Sequence, residues 1–574
     1  MKIEREHQVK TSFGLAMDGG RSELTAYRLP FNSTVSMSSL CTVSLTPTDI
    51  VKLREAVLNE WYVKFELDGL PAYAFLGRVA NEQSVDQHDE ALEALGVIQP
   101  VSRPAQLFTS YSFDISIHED RVVEINVSAD PDKVHHLGVR PKRERRKKTS
   151  SAAGGTGSAP ILSAAEFEIH FTYTVRWKHA MDGASMSGSS RLDKYHKQAL
   201  ETHHMEIHWV SILSSCLTVL LLVAFLAVVL VRALRRDVDQ YELGLRMTGG
   251  VGMEDAGWKL IARDVFRFPP HRNTFAALVG NGYQLLALAA CLLVLSVLGH
   301  IHATNRAGMR MAVMVLYAFT SGMAGYQAAA YYRQLQGDKW VGNILLTCSI
   351  MAVPAFSVGI WNNTIAVFYG SIAALPVWAV ALVILLWALV TVPLQVLGGI
   401  IGKNRHAKFA APVATNKYAR EIPPQPWFTQ WYAQMGLGGL IPFASIYIEL
   451  HYIFASIWTH KVYAVYSVLA IIFVMLLLTT AFVSIACTYF QLEAEDYRWW
   501  WRSFGLGAAV GGYFMGYATL WFFTHGQMSG LLQCSMYFGS NALFALALAL
   551  ILGTVAWRAS LTFVRNIYRF VKAD

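Results

Sequence analysis

The sequence predicts a polytopic α-helical membrane protein, with about nine spanning helices behind an N-terminal, mainly β lumenal domain. Three observations predict it. Only 15% of the 574 residues are charged and 54% are hydrophobic, whereas an ordinary soluble domain carries roughly 25% charged residues, so much of this surface must face lipid. No Asp, Glu, Lys or Arg occurs from Trp340 to Gly402 or from Ser503 to Trp557. Each run has room for two spans of the ~20 apolar residues that cross ~30 Å of hydrocarbon, with a short polar turn between them. Upstream of residue 205 the pattern changes to short alternating segments bounded by polar turns.

Those segments are Tyr111–Ile117, Arg121–Val127 and Phe167–Val175. Period-two alternation of β-branched and aromatic residues describes half-buried strands. Thr46–Leu58 instead reads as a capped amphipathic helix. Residues 1–205 are therefore read as one mainly β domain. Within it, 140–160 is a basic run followed by Ser, Gly and Ala, a disordered insertion by composition. Arg140-Pro-Lys-Arg143 inside it fits a basic protease site and equally any flexible basic loop. The opening segment MKIEREHQVK lacks the apolar core of a signal peptide. Of six cysteines, Cys41 alone falls in this domain, so no disulfide framework is expected within it. The other five sit in apolar segments as small packing residues.

The first span is expected in 206–232 and a cytosolic loop in 233–274. An eight-helix bundle follows over 275–556, with spans near 275–299, 311–330, 341–360, 375–400, 433–457, 462–489, 504–524 and 531–556. A cytosolic tail occupies 557–574. Lys and Arg set the orientation. The loop after the first span carries Arg232, Arg235, Arg236, Arg246, Lys259, Arg263, Arg267 and Arg272. That after the fifth carries Lys403, Arg405, Lys408, Lys417 and Arg420, and the tail Arg558, Arg565, Arg569 and Lys572. Alternate loops carry only Arg306, Arg310 and Lys461. The positive-inside rule then puts the N-domain in the lumen and the C-terminus in the cytosol. This also accounts for the net charge of +8 without nucleic acid, which is not expected as a partner. Three sequons, at Asn32, Asn126 and Asn362, fall on the lumenal side and are candidate glycosylation sites.

Inside the bundle, Glu449 stands deep in an apolar stretch with His451 nearby. A carboxylate at that depth costs ~2.5–3.5 kcal/mol, so it must face the bundle or a cavity. It serves either as a structural hydrogen bond or as a polar ion- or cargo-contacting site. Glu495, Asp496, Arg498 and Trp499 form a motif at the expected cytosolic boundary. Indole rings favour the headgroup zone, and Arg can pair with the acids or with lipid phosphates, so an interfacial anchor is expected. Gly512-Tyr-Phe-Met-Gly516 is a small-xxx-small pattern for close helix approach. The chain has no His-Glu-x-x-His, Gly-x-Ser-x-Gly, phosphate loop or Cys-x-x-Cys. Neither an enzyme, a cofactor nor a metal is expected. A transporter or channel built on Glu449 and the prolines Pro354, Pro376, Pro393 and Pro442 is the rival.

An ordered set of local motifs resembles the nonaspanins, the transmembrane-nine superfamily. The set comprises His208-Trp-Val-Ser-Ile212, Arg235-Arg-Asp237, Gly257-Trp-Lys-Leu260, Asp264-Val-Phe-Arg267, Gly439-Leu-Ile-Pro-Phe443, Ser445-Ile-Tyr-Ile-Glu449, Ala494-Glu-Asp-Tyr-Arg-Trp499 and Trp501-Arg-Ser-Phe504. In the N-domain, Phe65-Glu-Leu-Asp-Gly-Leu-Pro71 is similar to the family's strand-and-turn motif. Leu29-Pro-Phe31 departs from the family pattern, since Asn32 stands where a cysteine is usual and Cys41 loses its expected partner. The resemblance implies residence in Golgi and endosomal membranes. It also implies a role in sorting other membrane proteins, especially those with glycine-rich transmembrane helices, toward the surface. On that reading the partners are membrane lipids, client transmembrane proteins and the COPI coat. Lys572-Ala-Asp574 is similar to the family's coat-read terminal signal, and Gly512 and Gly516 become a candidate surface for a client helix.

Overall fold

The structure is a computed structural model. It describes residues 25–58, 60–67, 70–79, 105–118, 121–136, 167–179, 209–247, 257–300, 306–371, 374–405, 409, 411–458, 466–526 and 530–569. The 140–160 insertion, the basic motif within it, and the tail residues Lys572 and Asp574 lie outside the described residues. The chain forms two compact units, divided near residue 203.

The N-terminal unit is mainly β, as expected. Its described elements are β1 (Val35–Leu45), α1 (Pro47–Leu58), β2 (Tyr62–Leu67), β3 (Leu70–Phe75), β4 (Gly77–Val79), β5 (Ala105–Phe108), β6 (Ser110–His118), β7 (Arg121–Ala129), β8 (Val134–His136) and β9 (Phe167–His179). The largest sheet has the order β1-β9-β6-β7, with β6 and β9 parallel and the other pairs antiparallel. The alternation seen in the sequence is the alternation of burial: Tyr111, Phe113, Ile115 and Ile117 point into the core, and Ser112, Asp114 and Ser116 are half-buried between them. Leu70, Ala72 and Ala74 of the β2–β3 hairpin close that core. At the start of α1, Thr46 Oγ1 donates to Asp49 Oδ2 at 2.6 Å and accepts the Asp49 N–H, a reciprocal cap. The Thr46 hydroxyl and the Thr46 N–H, both donating to the carboxylate, hold the Asp49 pKa below its usual value.

Nine long helices make up the described part of the second unit: α2 (Trp209–Met247), α3 (Arg272–Val297), α4 (Arg306–Gln334), α5 (Trp340–Phe368), α6 (Val377–Asn404), α7 (Trp431–Trp458), α8 (Tyr466–Glu493), α9 (Trp499–His525) and α10 (Leu531–Arg569). All except α4 are long and apolar enough to cross a membrane. The exception is rich in small and polar residues because it is wedged into the bundle, with Ser321, Ala324, Ala328 and Ala329 buried. Close contact with α6 explains its glycines: a Cβ on Gly325 would fall on the Gln395 carbonyl, and one on Gly402 on the Tyr326 carbonyl. The prolines do not break the helices. Pro354 and Pro442 lie inside continuous α5 and α7. In α6 the turn Trp387–Thr391 widens to a π-bulge just before Pro393, where the missing N–H frees a carbonyl one turn back.

The structure corrects two sequence boundaries. Residues 233–274 are not simply a solvated loop. Helix α2 runs on to Met247, and Trp258, Ile261, Val265 and Phe266 are buried beneath the bundle. Nor does the last helix stop at 556. It extends to Arg569, ~58 Å for 39 residues, and Trp557, Leu561, Val564 and Tyr568 of the expected tail are fully buried. A strip of buried apolar residues at every third or fourth position carries the helix past residue 556.

Candidate functional site

Three polar or small-residue features inside the helical unit could act on other molecules, and the structure separates them. The first is Glu449 on α7. It is 2% exposed, and Ser215 Oγ of α2 lies 3.5 Å from its Oε1, in donating geometry. The neighbouring Cys216 meets Met475 of α8. Glu449 thus sits at the seam where α2 lies against α7 and α8. Helix α2 is otherwise lightly packed, with Leu213, Leu217, Leu220, Leu221 and Phe225 exposed.

His451 does not join Glu449. Two residues on, it points roughly 200° around the helix. Its Nδ1 pairs with Tyr517 OH of α9 at 3.2 Å, and its ring packs edge-on against Trp521. Trp521 in turn stacks on His525 at 4.2 Å. The expected Glu449/His451 site is therefore two separate contacts, one to α2 and one to α9.

The second feature lies where α3, α5, α7 and α9 begin and α2, α4, α6, α8 and α10 end. Cross-contacts tie these ends into one face: Arg272 donates to the Leu335 carbonyl, Gln425 to Ala494 and Arg502 to Thr429. Lys403 lies over Trp340 at 4.3 Å. Of the Lys and Arg residues read from the sequence, Arg267, Arg272, Lys403 and Arg420 lie on this basic face. At its centre Asp496, 1% exposed, pairs with Arg502 at 2.6 Å and with Arg498 at 3.2 Å. Glu495 reaches Arg420 at 3.5 Å.

Trp499 overturns the interfacial-anchor expectation. It is fully buried, stacks on Trp500 at 4.7 Å and donates from Nε1 to the Val265 carbonyl at 2.9 Å. Tyr568 OH donates to the Trp258 carbonyl at 2.6 Å, so the loop and the last helix clamp the same layer. Residues 257–267 fold over the tryptophans and take them out of the headgroup zone. Arg502 and Tyr568, both essential to this layer, were not singled out by sequence reasoning. The signal for Arg502 was its burial six residues beyond Asp496 across a loop, which no local periodicity marks.

The third feature is the glycine pattern of α9. Gly507 and Gly511 are the packing pair: a Cβ on either would fall on a carbonyl of α10, of Leu552 or of Ala545. Gly512 and Gly516, the pair read from the sequence, are not used for packing within the chain. Both are exposed, and a Cβ on either would meet nothing within 4 Å. They continue into exposed Leu520 and Phe523 on the same outward face.

Of the sequons, Asn32 lies exposed in a turn and Asn126 exposed on β7. Asn362 is different. It is half-buried inside α5, its Oδ1 accepts from Ser535 Oγ of α10 at 2.6 Å, and Gly539 packs beside it. An amide committed to a helix–helix contact is not free to carry a glycan, so Asn362 is corrected to a packing residue. Cys41, half-buried on β1, is a free thiol, and burial pushes its pKa up.

Comparison with known proteins agrees over nearly the whole chain. Residues 1–531 match the Endomembrane protein 70 family. Transmembrane 9 superfamily member 4 of Arabidopsis thaliana is 39% identical over 565 residues, covering 98% of this chain and 88% of that protein. Transmembrane 9 superfamily member 3 of the same plant is 40% identical over the same shares. Transmembrane 9 superfamily member 1 of Mus musculus is 35% identical over 100% of this chain and 89% of its own length. No solved structure matches. With a family match over most of its length and a multi-pass helical bundle behind a β domain, this chain belongs to the Endomembrane protein 70 family, the transmembrane 9 superfamily.

Proposed function

We propose that this protein is a non-enzymatic sorting factor of Golgi and endosomal membranes. It holds the glycine-rich transmembrane helices of client proteins against the outward face of α9 and so assists their passage to the surface. The observation that carries this reading is the open pair Gly512 and Gly516, exposed, where an added Cβ would meet nothing within 4 Å among the described residues. In hydrocarbon there is little hydrophobic drive to pair helices. Association relies on close backbone approach, which small residues four apart permit. A client helix with the same spacing could seat there, whereas an α9 glycine already filled by α10 could not serve.

In this proposal the basic face is cytosolic and the N-domain lumenal, in keeping with the concentration of Lys and Arg on that face. The C-terminal Lys572 and Asp574 then form a COPI-coat signal in the cytosol. Its chemistry is the Lys572 ammonium and the Asp574 carboxylate two residues on, groups that a charged pocket can clamp.

The test compares surface levels of glycine-rich membrane proteins in cells carrying the parent protein, the Gly512→Leu/Gly516→Leu variant or no protein. The double variant is expected to reproduce the deficit of cells lacking the protein while remaining folded and in place. Normal surface levels would contradict the client site. The tail is tested separately: Lys572→Ala, or a few neutral residues appended after Asp574, should move the protein out of the Golgi. Unchanged Golgi residence of both would refute the signal.

A further inference from the structure

A groove of about 530 Å³ opens on the flank of the bundle between α2, α3, α8 and α10. Its wall is mainly apolar, with Leu230, Leu286 and Phe563 prominent, and it also carries Tyr283, Arg558 and Asn566. None of these belongs to the Glu449 seam, the tryptophan layer or the open glycine pair. The lining thus combines a hydrocarbon-compatible trough with a single cation, Arg558.

The depth of that cation is set by the helix. Arg558 follows Leu531 by 27 residues of continuous α10, ~40 Å at 1.5 Å per residue, more than the ~30 Å of hydrocarbon. It therefore reaches the headgroup level of the leaflet on the basic face. No acidic side chain pairs with it among the described residues. Seven residues on, on the same side of α10, Arg565 lies over Phe409 at 4.6 Å, and its Nε is buried without a hydrogen-bond partner. The groove is thus cationic at Arg558, without an acidic partner among the described residues, and level with lipid phosphates. Its remaining polar groups, the Tyr283 hydroxyl and the Asn566 amide, can donate to phosphate or glycerol oxygens.

We propose that this groove is a binding site for one glycerophospholipid with an anionic headgroup. An acyl chain lies along Leu230 and Leu286, and the phosphate sits at Arg558. The complementarity of both ends selects a lipid over a soluble anion, which would leave the apolar trough unused. It also selects a lipid over a client helix, which has no charge to set against Arg558. The site is independent of the glycine face on α9 and stands whether or not clients bind there.

The experiment is native mass spectrometry of the purified full-length protein titrated with phosphatidylserine, with phosphatidylcholine of matched chains, and with glycerophosphoserine as the headgroup alone. The parent is expected to retain one phosphatidylserine about fivefold better than phosphatidylcholine, the scale of one basic residue acting at a membrane surface. Arg558→Gln should remove that preference, and Arg310→Gln, at the opposite end of the bundle, should leave it intact. Ala559→Leu, which fills the groove without touching the charge, should lower phosphatidylserine retention even if Arg558→Gln does not fold. Equal retention of the two lipids by the parent, a preference that survives Arg558→Gln, or full retention in Ala559→Leu would each overturn the proposal. So would glycerophosphoserine binding as tightly as the lipid, since that would make the site one for a soluble anion.

Discussion

The basic-face end of the bundle and the outward face of α9 belong to the same helices but are built by opposite rules. At the first, Asp496, Arg502, Trp499, Trp500 and Tyr568 are taken almost wholly out of solvent, and the hydrogen bonds of Trp499, Arg502 and Tyr568 reach main-chain carbonyls more than 70 residues away. At the second, Gly512 and Gly516 contact nothing. Gly511 and Gly512 are adjacent in sequence, yet only Gly511 is filled by a neighbouring helix. One helix therefore locks the fold at one end and along one side while presenting an unfilled surface along another. Substitutions in the two regions should separate stability from client handling.

The largest effect is expected at the Asp496–Arg502 pair. Asp496→Ala leaves a largely buried guanidinium facing only Arg498 and a carbonyl, and breaking such a pair costs ~3–5 kcal/mol. Thermal unfolding of the purified protein should show a large loss, mostly recovered in Asp496→Leu/Arg502→Met. Equal stability of the single variant would mean that the layer is wetter than the geometry implies.

Next come the neighbouring glycines. Gly511→Leu drives a side chain into the Ala545 carbonyl and should cost ~1–3 kcal/mol or more through overpacking. Gly512→Leu meets open space and replaces a poor helix former, so it should leave stability unchanged or raise it by up to ~1 kcal/mol. If the two variants melt alike, the phase of α9 against α10 is wrong and the comparison fails.

Glu449 should fall between the two regions. Glu449→Gln keeps an acceptor for Ser215 and is expected to be tolerated better than Glu449→Leu, which forfeits a buried hydrogen bond worth ~1–3 kcal/mol if its partner is left unsatisfied. Indistinguishable melting of the two would remove the polar seam between α2 and α7.

The smallest effect concerns Cys41. Because burial raises its thiol pKa, less thiolate exists near neutrality than for an exposed cysteine, and the thiolate is the reacting form. Alkylation of the folded N-domain should therefore be slow at pH 7 and accelerate as pH rises. Rapid labelling at pH 7 would show the thiol to be exposed.

How far the sequence could be read depended on the range of the interaction. The strand at 111–117 was legible because alternation is a local record of one buried face. So was the depth of Glu449, since a lone carboxylate in apolar sequence has few places to go. Trp499 was misread because three tryptophans beside an arginine have the composition of a membrane-interface belt. What buries them is the Val265 segment, 234 residues distant in sequence, and composition carries no trace of it. The packing reading of Gly512 and Gly516 failed for a subtler reason. Gly507/Gly511 and Gly512/Gly516 both have a spacing of four. Which pair turns inward is decided by the rotation of α9 against α10, a packing outcome and not a property of the spacing. The end of the last helix was missed because its apolar strip persists among arginines, where a charge-based boundary stops too early.

The central claim is that a client's glycine-rich helix lies against the outward face of α9. Intramembrane photo-cross-linking tests it most directly, with a photoreactive residue at Leu520, one turn beyond Gly516 on the exposed face, and a control at Leu221 on α2, which is similarly exposed. The account predicts that a glycine-rich transmembrane client is captured from position 520 and not from 221, and that Gly512→Leu/Gly516→Leu abolishes the capture. Equal capture from both positions, or capture that survives the double substitution, would contradict it.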